Sequence, residues 1–444
     1  MTKFQVILIS VFTFFILVGV GVFATYKGSG EKEVSLTLWG TFPEKVMRDF
    51  SNSDAIRGAG FRLNYVEENS ETIENDLLEA IAAGNAPDMM IVPGDLLLSL
   101  ENKLILVPEK TLSERTFKET FIEGAEIFYT KDGALGIPLA VDPLVMYWNR
   151  PLLQSAGFTK PPVFWQDFYI LGPRLTQVDK NKNIIRSGVA LGEYKNITHA
   201  KELLSTLIIQ AGSPIVSVGE GGLVASLDIR VSENPTPPAE SVLRFYSEFS
   251  DPSKNFYTWN KAMPNSREAF LQERLATYFG FGSELPYLSS KNPNLNFFVA
   301  LLPQVNGARL NPEDGVARGT KETFGKIHAF VFPRNGKNID SAISAALFLS
   351  GAIPSSSFTT LTSLTPARRD VLGVPPKDAY LSVFYESALV SHSWLDPSPQ
   401  ATDDLFRDLV SSVTSGRASL SGSVSQAQND LAELLSRYSL GTGQ

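Results

Sequence analysis

The side chains most able to do chemistry are sparse and badly placed for catalysis. Only three histidines occur, His199, His328 and His392, in separate segments. None shows the His-x-x-x-His spacing that sets two imidazoles on one helix face around a metal, so they read as isolated surface or core residues. The chain has no cysteine, which removes disulfides, iron–sulfur clusters, thiolate zinc sites and thiol nucleophiles. A Gly-x-Ser-x-Gly elbow and a glycine-rich phosphate loop are both absent from the sequence. The adjacent acids Glu67-Glu68 and Asp403-Asp404 could be drafted as a glycoside-cleaving pair, which needs two carboxyls facing one bond. Neighbouring residues on a strand or helix point apart, so solvated charged faces explain them better. The sequence gives no positive sign of an enzyme, and no cofactor or metal is expected. A net charge of -8 with no run of Lys or Arg argues against a nucleic-acid partner.

The elements that must position any site read as α/β. Val34 to Trp39 alternates like a strand. Phe42, Val46 and Phe50 then recur every four residues, as on one helix face. Phe61 to Val66 is a second strand. A helix with Ile73, Leu77 and Ile81 as its apolar stripe ends at Gly84, and Met89 to Val92 is a short buried strand. Strand, helix, strand, helix, strand predicts a parallel βαβ unit. Asp132-Gly133 predicts a hairpin turn. Leu135 to Phe168 reads as a strand ending at Pro138, a bend at Asp142-Pro143, a second strand to Trp148, and a helix opening at Pro151 and closing at Gly157. Further on, Thr198 to Gln210 and Ser241 to Phe249 read as helices, and residues 213–240 as loops and short strands. Asp403 to Val413 and Val424 to Tyr438 read as amphipathic helices. A chain of 444 residues is of a size that usually splits into two domains.

Val6 to Ala24 is an uncharged apolar run. As a helix it spans roughly 28 Å, close to the thickness of a bilayer core. It is longer than the roughly 7–15-residue apolar core of a cleavable leader, so the expectation is a signal anchor with the bulk of the chain extracellular or periplasmic. Removal near Ala24 is the alternative. Without cysteine, a lipidated-cysteine tether is ruled out.

Several motifs in order resemble one family: the extracellular solute-binding proteins of ABC importers, in particular the maltose-binding-like branch. They are AIAAGNAPDMMIVPGD (Ala80 to Asp95), the segment LGIPLAVDPLVMYWNRPLLQSAGFTKPPVFWQDF (Leu135 to Phe168), SREAFLQERLATYFGFG (Ser266 to Gly282), FFVALLP (Phe297 to Pro303) and Thr365-Pro366-Ala367-Arg368. The resemblance implies a periplasmic-binding-protein-like α/β fold of two lobes joined by three hinge crossings. Residues 31–142 plus 304–362 would form one lobe and residues 143–303 plus 363–444 the other, behind the anchor and linker of residues 1–30. A ligand would bind between the lobes and close the hinge.

The same resemblance nominates ligand-binding residues. Asp142, at the first crossing, matches an acidic cleft position, or else caps a helix or turn. Asp95 follows the MMIVPG strand where another acidic contact falls, or else is an N-cap. Glu193 and Tyr194 match an acid-plus-aromatic position, Trp39 and Phe42 leave the first strand, and Trp394 offers a stacking face. Ser283-Glu284 and Asp403-Asp404 stand where aromatic platforms are common in the branch, which argues against a long malto-oligosaccharide. The implied function is a membrane-tethered, monomeric binding component that captures a small polar solute, a sugar favoured, and presents it to ABC permease subunits. The alternatives are a sensor, adhesion or scaffold protein on the same fold and, more remotely, an extracellular hydrolase.

Overall fold

The computed structural model describes residues 33–181, 183–219, 221–230, 236–305, 309–310, 317–318 and 321–438. The apolar run Val6 to Ala24 lies outside the described residues. Among those described, no single helix is long and apolar enough to cross a membrane.

The chain begins as the alternation predicts. Strand β1 (Val34–Gly40) pairs in parallel with β2 (Phe61–Glu67) and β3 (Met89–Pro93). The intervening helices are α1 (Glu44–Ser51) and α2 (Ile73–Ala82). Helix α1 buries Met47 and Phe50. Phe42 lies ahead of the helix rather than on its stripe, packed edge-on to Phe358 with ring centroids 5.1 Å apart. The Asp132-Gly133 hairpin is present: Tyr129 pairs with Ala134 and Thr130 with Gly133, and Gly133 sits at φ +133, a backbone region that favours glycine.

Strand β4 (Ile137–Asn149) departs from expectation. Instead of two strands around a bend, thirteen residues run as one strand, every one buried. Near-continuous apolar sequence is what a strand covered on both faces requires. Asp142-Pro143 marks a change of partner, not a bend. Residues Ile137 to Pro143 pair antiparallel with β8 (Thr323–Pro333). Residues Leu144 to Asn149 pair with β6 (Leu275–Phe281) on one side and β7 (Phe297–Leu301) on the other. Proline has no N–H for a ladder, and a point where the ladder is handed on is where that loss matters least.

The result is a mixed sheet in two halves that share β4. Strand β8 also pairs with β3, and β6 pairs in parallel with β5 (Ile184–Val189). Helix α3 (Ala200–Gln210) packs on β8. Helices α4 (Pro238–Glu248), α5 (Ile339–Leu349), α6 (Ala352–Thr362), α7 (Ala379–Leu389), α8 (Pro399–Thr414) and α9 (Leu420–Leu435) complete the layers. Between α3 and α4, residues 216–219 and 222–225 pair as a short hairpin.

Two buried polar clusters tie α3 down. At its C-terminal end, Gln210 accepts from the Trp165 indole at 2.7 Å and donates to the carbonyls of Pro303 and Glu322 at 3.1 and 2.6 Å. At its N-terminal end, Lys201 donates to Asp396 at 2.6 Å and to Thr402 at 2.9 Å. Asp396 is only 2% exposed. Removing one partner of a buried pair strands the other charge, at about 3–5 kcal/mol. Lys201→Met is therefore expected to lower unfolding stability by about that much in urea titration; a loss below about 1 kcal/mol would mean Asp396 is satisfied without it.

Candidate functional site

Where β4 changes partner, side chains from both halves of the sheet converge. Asp142 is 7% exposed and both its oxygens are engaged: Oδ1 accepts from the Ser283 backbone N–H at 3.0 Å and Oδ2 from the Ser283 hydroxyl at 2.5 Å. Asp142 thus fastens the turn that follows β6. Burial pushes its pKa up to about 6, against the opposing pull of the Ser283 hydrogen bonds and of Lys326.

Lys326 is the ladder partner of Asp142 on β8. Its ammonium lies 3.6 Å from Asp95 Oδ2 and 5.7 Å from the centre of the Phe281 ring. Burial disfavours this charge, but Asp95, Glu202 and Asp142 outweigh it and hold the ammonium above the ordinary lysine range. Two residues along the strand, on the same face, His328 sets its ring 5.2 Å from Phe42. Burial, reinforced by Lys326, pushes the imidazole down to about 4, so it is neutral at physiological pH. Asp95 Oδ1 and His328 Nδ1 are buried without a hydrogen-bond partner. Buried polar atoms are nearly always paired, which sets these two apart from the bonded groups around them. Asp95 makes no capping bond to the helical turns beside it.

The facing wall is built on the N-terminal end of α3. His199 precedes the helix in a left-handed conformation (φ 59). It holds Glu284 at 2.7 Å and packs edge-on to Phe281 at 4.7 Å. Glu284 also accepts from the Tyr278 hydroxyl and the Phe281 N–H. Burial alone would raise its pKa, but these partners bring it below the ordinary glutamate value. A cavity of about 580 Å³ opens beside this wall, lined by Tyr194, His199, Lys201, Glu202, Asp403 and Arg407 among others. The Tyr194 hydroxyl donates to Asp403 at 2.6 Å, and Arg407 pairs with Asp404.

The structure brings Asp142 and Asp95 together around Lys326, sets Phe42 against His328, and places Tyr194 on the neighbouring cavity. Glu193 is 9% exposed, and its carbonyl accepts from the Tyr246 hydroxyl at 2.7 Å. Trp39 is half-buried in β1 against the core. Trp394 is 4% exposed: its indole N–H donates to Ser205 at 3.2 Å, Lys201 lies over one face and Phe406 packs beside it. Sequence reasoning did not single out Lys326, Glu202 or Arg407, and read His199 and His328 as isolated residues. A signal for two of them existed: Lys326 and His328 alternate inside the apolar strand TFGKIHAFVF. Among the described residues, no group of three or more His, Asp or Glu could hold a metal ion.

A family model of bacterial extracellular solute-binding proteins matches residues 52–379. The chain belongs to that family. That is a family of binding proteins, in line with a sequence that gives no positive sign of an enzyme. Proteins named as binding proteins of Brucella abortus (strain 2308) and Brucella suis biovar 1 (strain 1330) are each 26% identical over 159 residues, which is 34% of this chain and 38% of theirs. The chain therefore matches well under half the length of those relatives. Several solved structures share the fold. One is the GacH receptor of Streptomyces glaucescens, solved unliganded and with acarbose (TM-score 0.67, 15% identity, 91% of this chain and 99% of that one). Another is a cyclo/maltodextrin-binding protein complexed with maltotetraose (0.70, 14%, 91% and 97%). A third is an ABC transporter solute-binding protein from Thermotoga lettingae bound with α-D-tagatose (0.63, 18%, 91% and 100%). The expected periplasmic-binding-protein-like α/β fold is borne out.

Asp142 yields a prediction about pH. Its folded pKa of about 6 exceeds the ordinary 3.8, so between those values the folded protein binds more protons than the unfolded chain. Its contribution to stability is full below about 4 and is lost as pH rises through about 6. Asp142→Asn keeps an oxygen to accept from the Ser283 N–H, reverses the other bond so that its amide donates to the Ser283 hydroxyl oxygen, and removes the titration. The difference in stability between wild type and variant should change across pH 4–6 and be flat above; a constant difference would refute the raised pKa.

Proposed function

We propose that this protein is the substrate-binding component of an ABC importer and captures a small polar solute, a sugar or short oligosaccharide, at the Asp95–Lys326–His328 cluster. The observation that carries this reading is the pair of buried, unpartnered polar atoms there, Asp95 Oδ1 and His328 Nδ1, beside the aromatic faces of Phe42 and Phe281. Sugar recognition uses polar groups that share hydroxyl protons, with apolar faces for the ring. The maltotetraose, acarbose and tagatose complexes of proteins with this fold support the choice of solute class.

Two lobes follow from the same reading, residues 31–142 plus 304–362 and residues 143–303 plus 363–444. Strand β4 would be the first crossing, and the Gln210-bound segments near Pro303 and Glu322 the second. Thr365-Pro366, which pairs with Val141 and Ala140, would be the third. On this division Asp95, Lys326 and Phe42 face Glu202, Tyr194 and Phe281 across the gap, so a solute touching both sets draws the lobes together. Asp142 is then the fastener beside the site rather than its main ligand contact, while Glu193, Trp39 and Trp394 support the surrounding walls. The apolar run Val6 to Ala24 would tether the protein in the membrane, with its permease partners beside it.

The test is a thermal-shift and calorimetric screen of mono- and oligosaccharides, polyols, amino acids and short peptides. A ligand that binds only the folded state at a hundredfold excess over its Kd adds about 2.7 kcal/mol of stability. One sugar class should raise Tm, shrink the radius of gyration in solution scattering, and bind at least about tenfold more weakly to Lys326→Met, a change of about 1.4 kcal/mol. If no solute shifts Tm, the scaffold reading replaces this one.

A further inference from the structure

Helices α5 and α6 carry an outward face without charge. From Ser341 to Ala367 the chain has no charged residue, although charged residues make up 19% of the whole. Helices on a protein surface ordinarily turn charged side chains outward. Here the exposed positions are Ser344 and Phe348 on α5 and Ala352, Ile353, Thr360 and Leu361 on α6. The two helices meet at a bend of 76°, and beside it Phe348 is 43% and Ile353 74% exposed. Together the pair is apolar enough for a membrane span, but its inner faces bury Ile343, Leu349 and Phe358. It can therefore rest on a bilayer and not cross one.

This corner sits where the chain enters the fold. Phe348 packs edge-on to Phe61 with ring centroids 5.9 Å apart, and Phe61 is the ladder partner of Val34. A groove of about 350 Å³ between them is lined by Val34, Gly60, Phe61, Ser344 and Phe348, with Asp340 as its one charged residue. Beyond Phe61 the surface is mixed, with Arg57 and Arg62 beside Glu33. Nine residues, 25–33, separate Val34 from the apolar run that ends at Ala24. At full extension they reach no more than about 32 Å, against a width on the order of 60 Å for a globular chain of this length. A run held in a bilayer thus keeps this end of the molecule beside the headgroups. The net charge of -8 sets most of the surface against anionic lipid, and the uncharged corner escapes that repulsion.

We propose that the α5–α6 corner, with Phe348 and Ile353 at its tip, is a membrane-resting surface whose two apolar side chains enter the headgroup region of the bilayer. The proposal rests on the tether of the reading above and goes beyond it. Helix α6 leads from the corner to Phe358, which packs on Phe42. The solute cluster therefore lies at the opposite end of β1, roughly 20 Å away, and stays open to solution while the corner rests. Two side chains hold weakly enough to let go when the protein meets its permease partners.

The experiment uses the full-length protein reconstituted in vesicles of phosphatidylcholine and phosphatidylglycerol. The chain has no cysteine of its own, so Ile353→Cys and a control, Val178→Cys, each take a single fluorescent label. Val178 is 51% exposed, on the strand at the opposite edge of the sheet from β2. Spin-labelled lipid is expected to quench the Ile353 label at least about threefold more than the Val178 label, because a side chain in the headgroup region lies within reach of it. Adding Phe348→Asp should abolish that difference, with Tm as the check that the variant is folded. Equal quenching at both positions, with the protein still floating with the vesicles, overturns the resting surface and leaves the tether standing. An Ile353 label shielded from aqueous iodide but untouched by spin-labelled lipid means that a protein covers the corner, and also overturns it. Protein that does not float with the vesicles overturns both.

Discussion

The structure depends on one strand. Residues Ile137–Asn149 are buried on both faces and hydrogen-bonded along their length, first to β8 and then to β6 and β7. Because β4 belongs to both halves of the sheet, their relation is set at the residues where it changes partner, Asp142 and Pro143. A buried carboxyl at that point is expensive unless its oxygens are satisfied, and Ser283 satisfies both. The hydrogen bonds therefore do two things: they make the buried acid tolerable, and they fix the turn after β6 against β4.

From that fastening the rest of the site follows. Ser283 precedes Glu284, which is held by His199, Tyr278 and the Phe281 N–H. His199 starts α3, whose first turn carries Lys201 and Glu202 on the cavity wall. On the other side of β4, the ladder sets Lys326 opposite Asp142 and carries His328 two residues further along the strand. Electrostatics then sorts the groups. Lys326 stays charged because three carboxylates surround it, whereas His328, with Lys326 beside it and little water, stays neutral. The arrangement holds a lysine ammonium, a neutral imidazole and one unpartnered carboxylate oxygen, Asp95 Oδ1.

The substituted positions noticed in the sequence acquire a physical reason. Ser283 and Glu284 stand where an aromatic platform is common in the maltose-binding-like branch, and both are used internally here, one on Asp142 and one on His199. Asp403 stands where another platform is common, and takes the Tyr194 hydroxyl. The aromatic faces that remain close to Lys326 and His328 are Phe42 and Phe281.

Much of the fold was legible in the sequence because periodicity and punctuation are local. The alternation of Val34 to Trp39, the apolar run Met89 to Val92 and the glycine after α2 each fix an element without reference to anything distant. The ordered motifs then fix the family. The division of Leu135 to Phe168 into two strands was misread for the same reason: Asp-Pro looks locally like a bend, and only the partner strands from residues 275–301 and 323–333 hold it straight. The site was legible in part. Asp95, Asp142, Tyr194 and Phe42 were nominated through the motifs, but whether a carboxylate is free or already bonded depends on a partner far along the chain, as Ser283 is for Asp142. Trp394 offered an aromatic face in sequence, and packing against Ser205, Lys201 and Phe406 covers it. Composition, element order and family were determined by the sequence. Which charges meet, which titrate abnormally and which polar atoms are left without partners were decided by tertiary structure, because burial and long-range pairing set those energies.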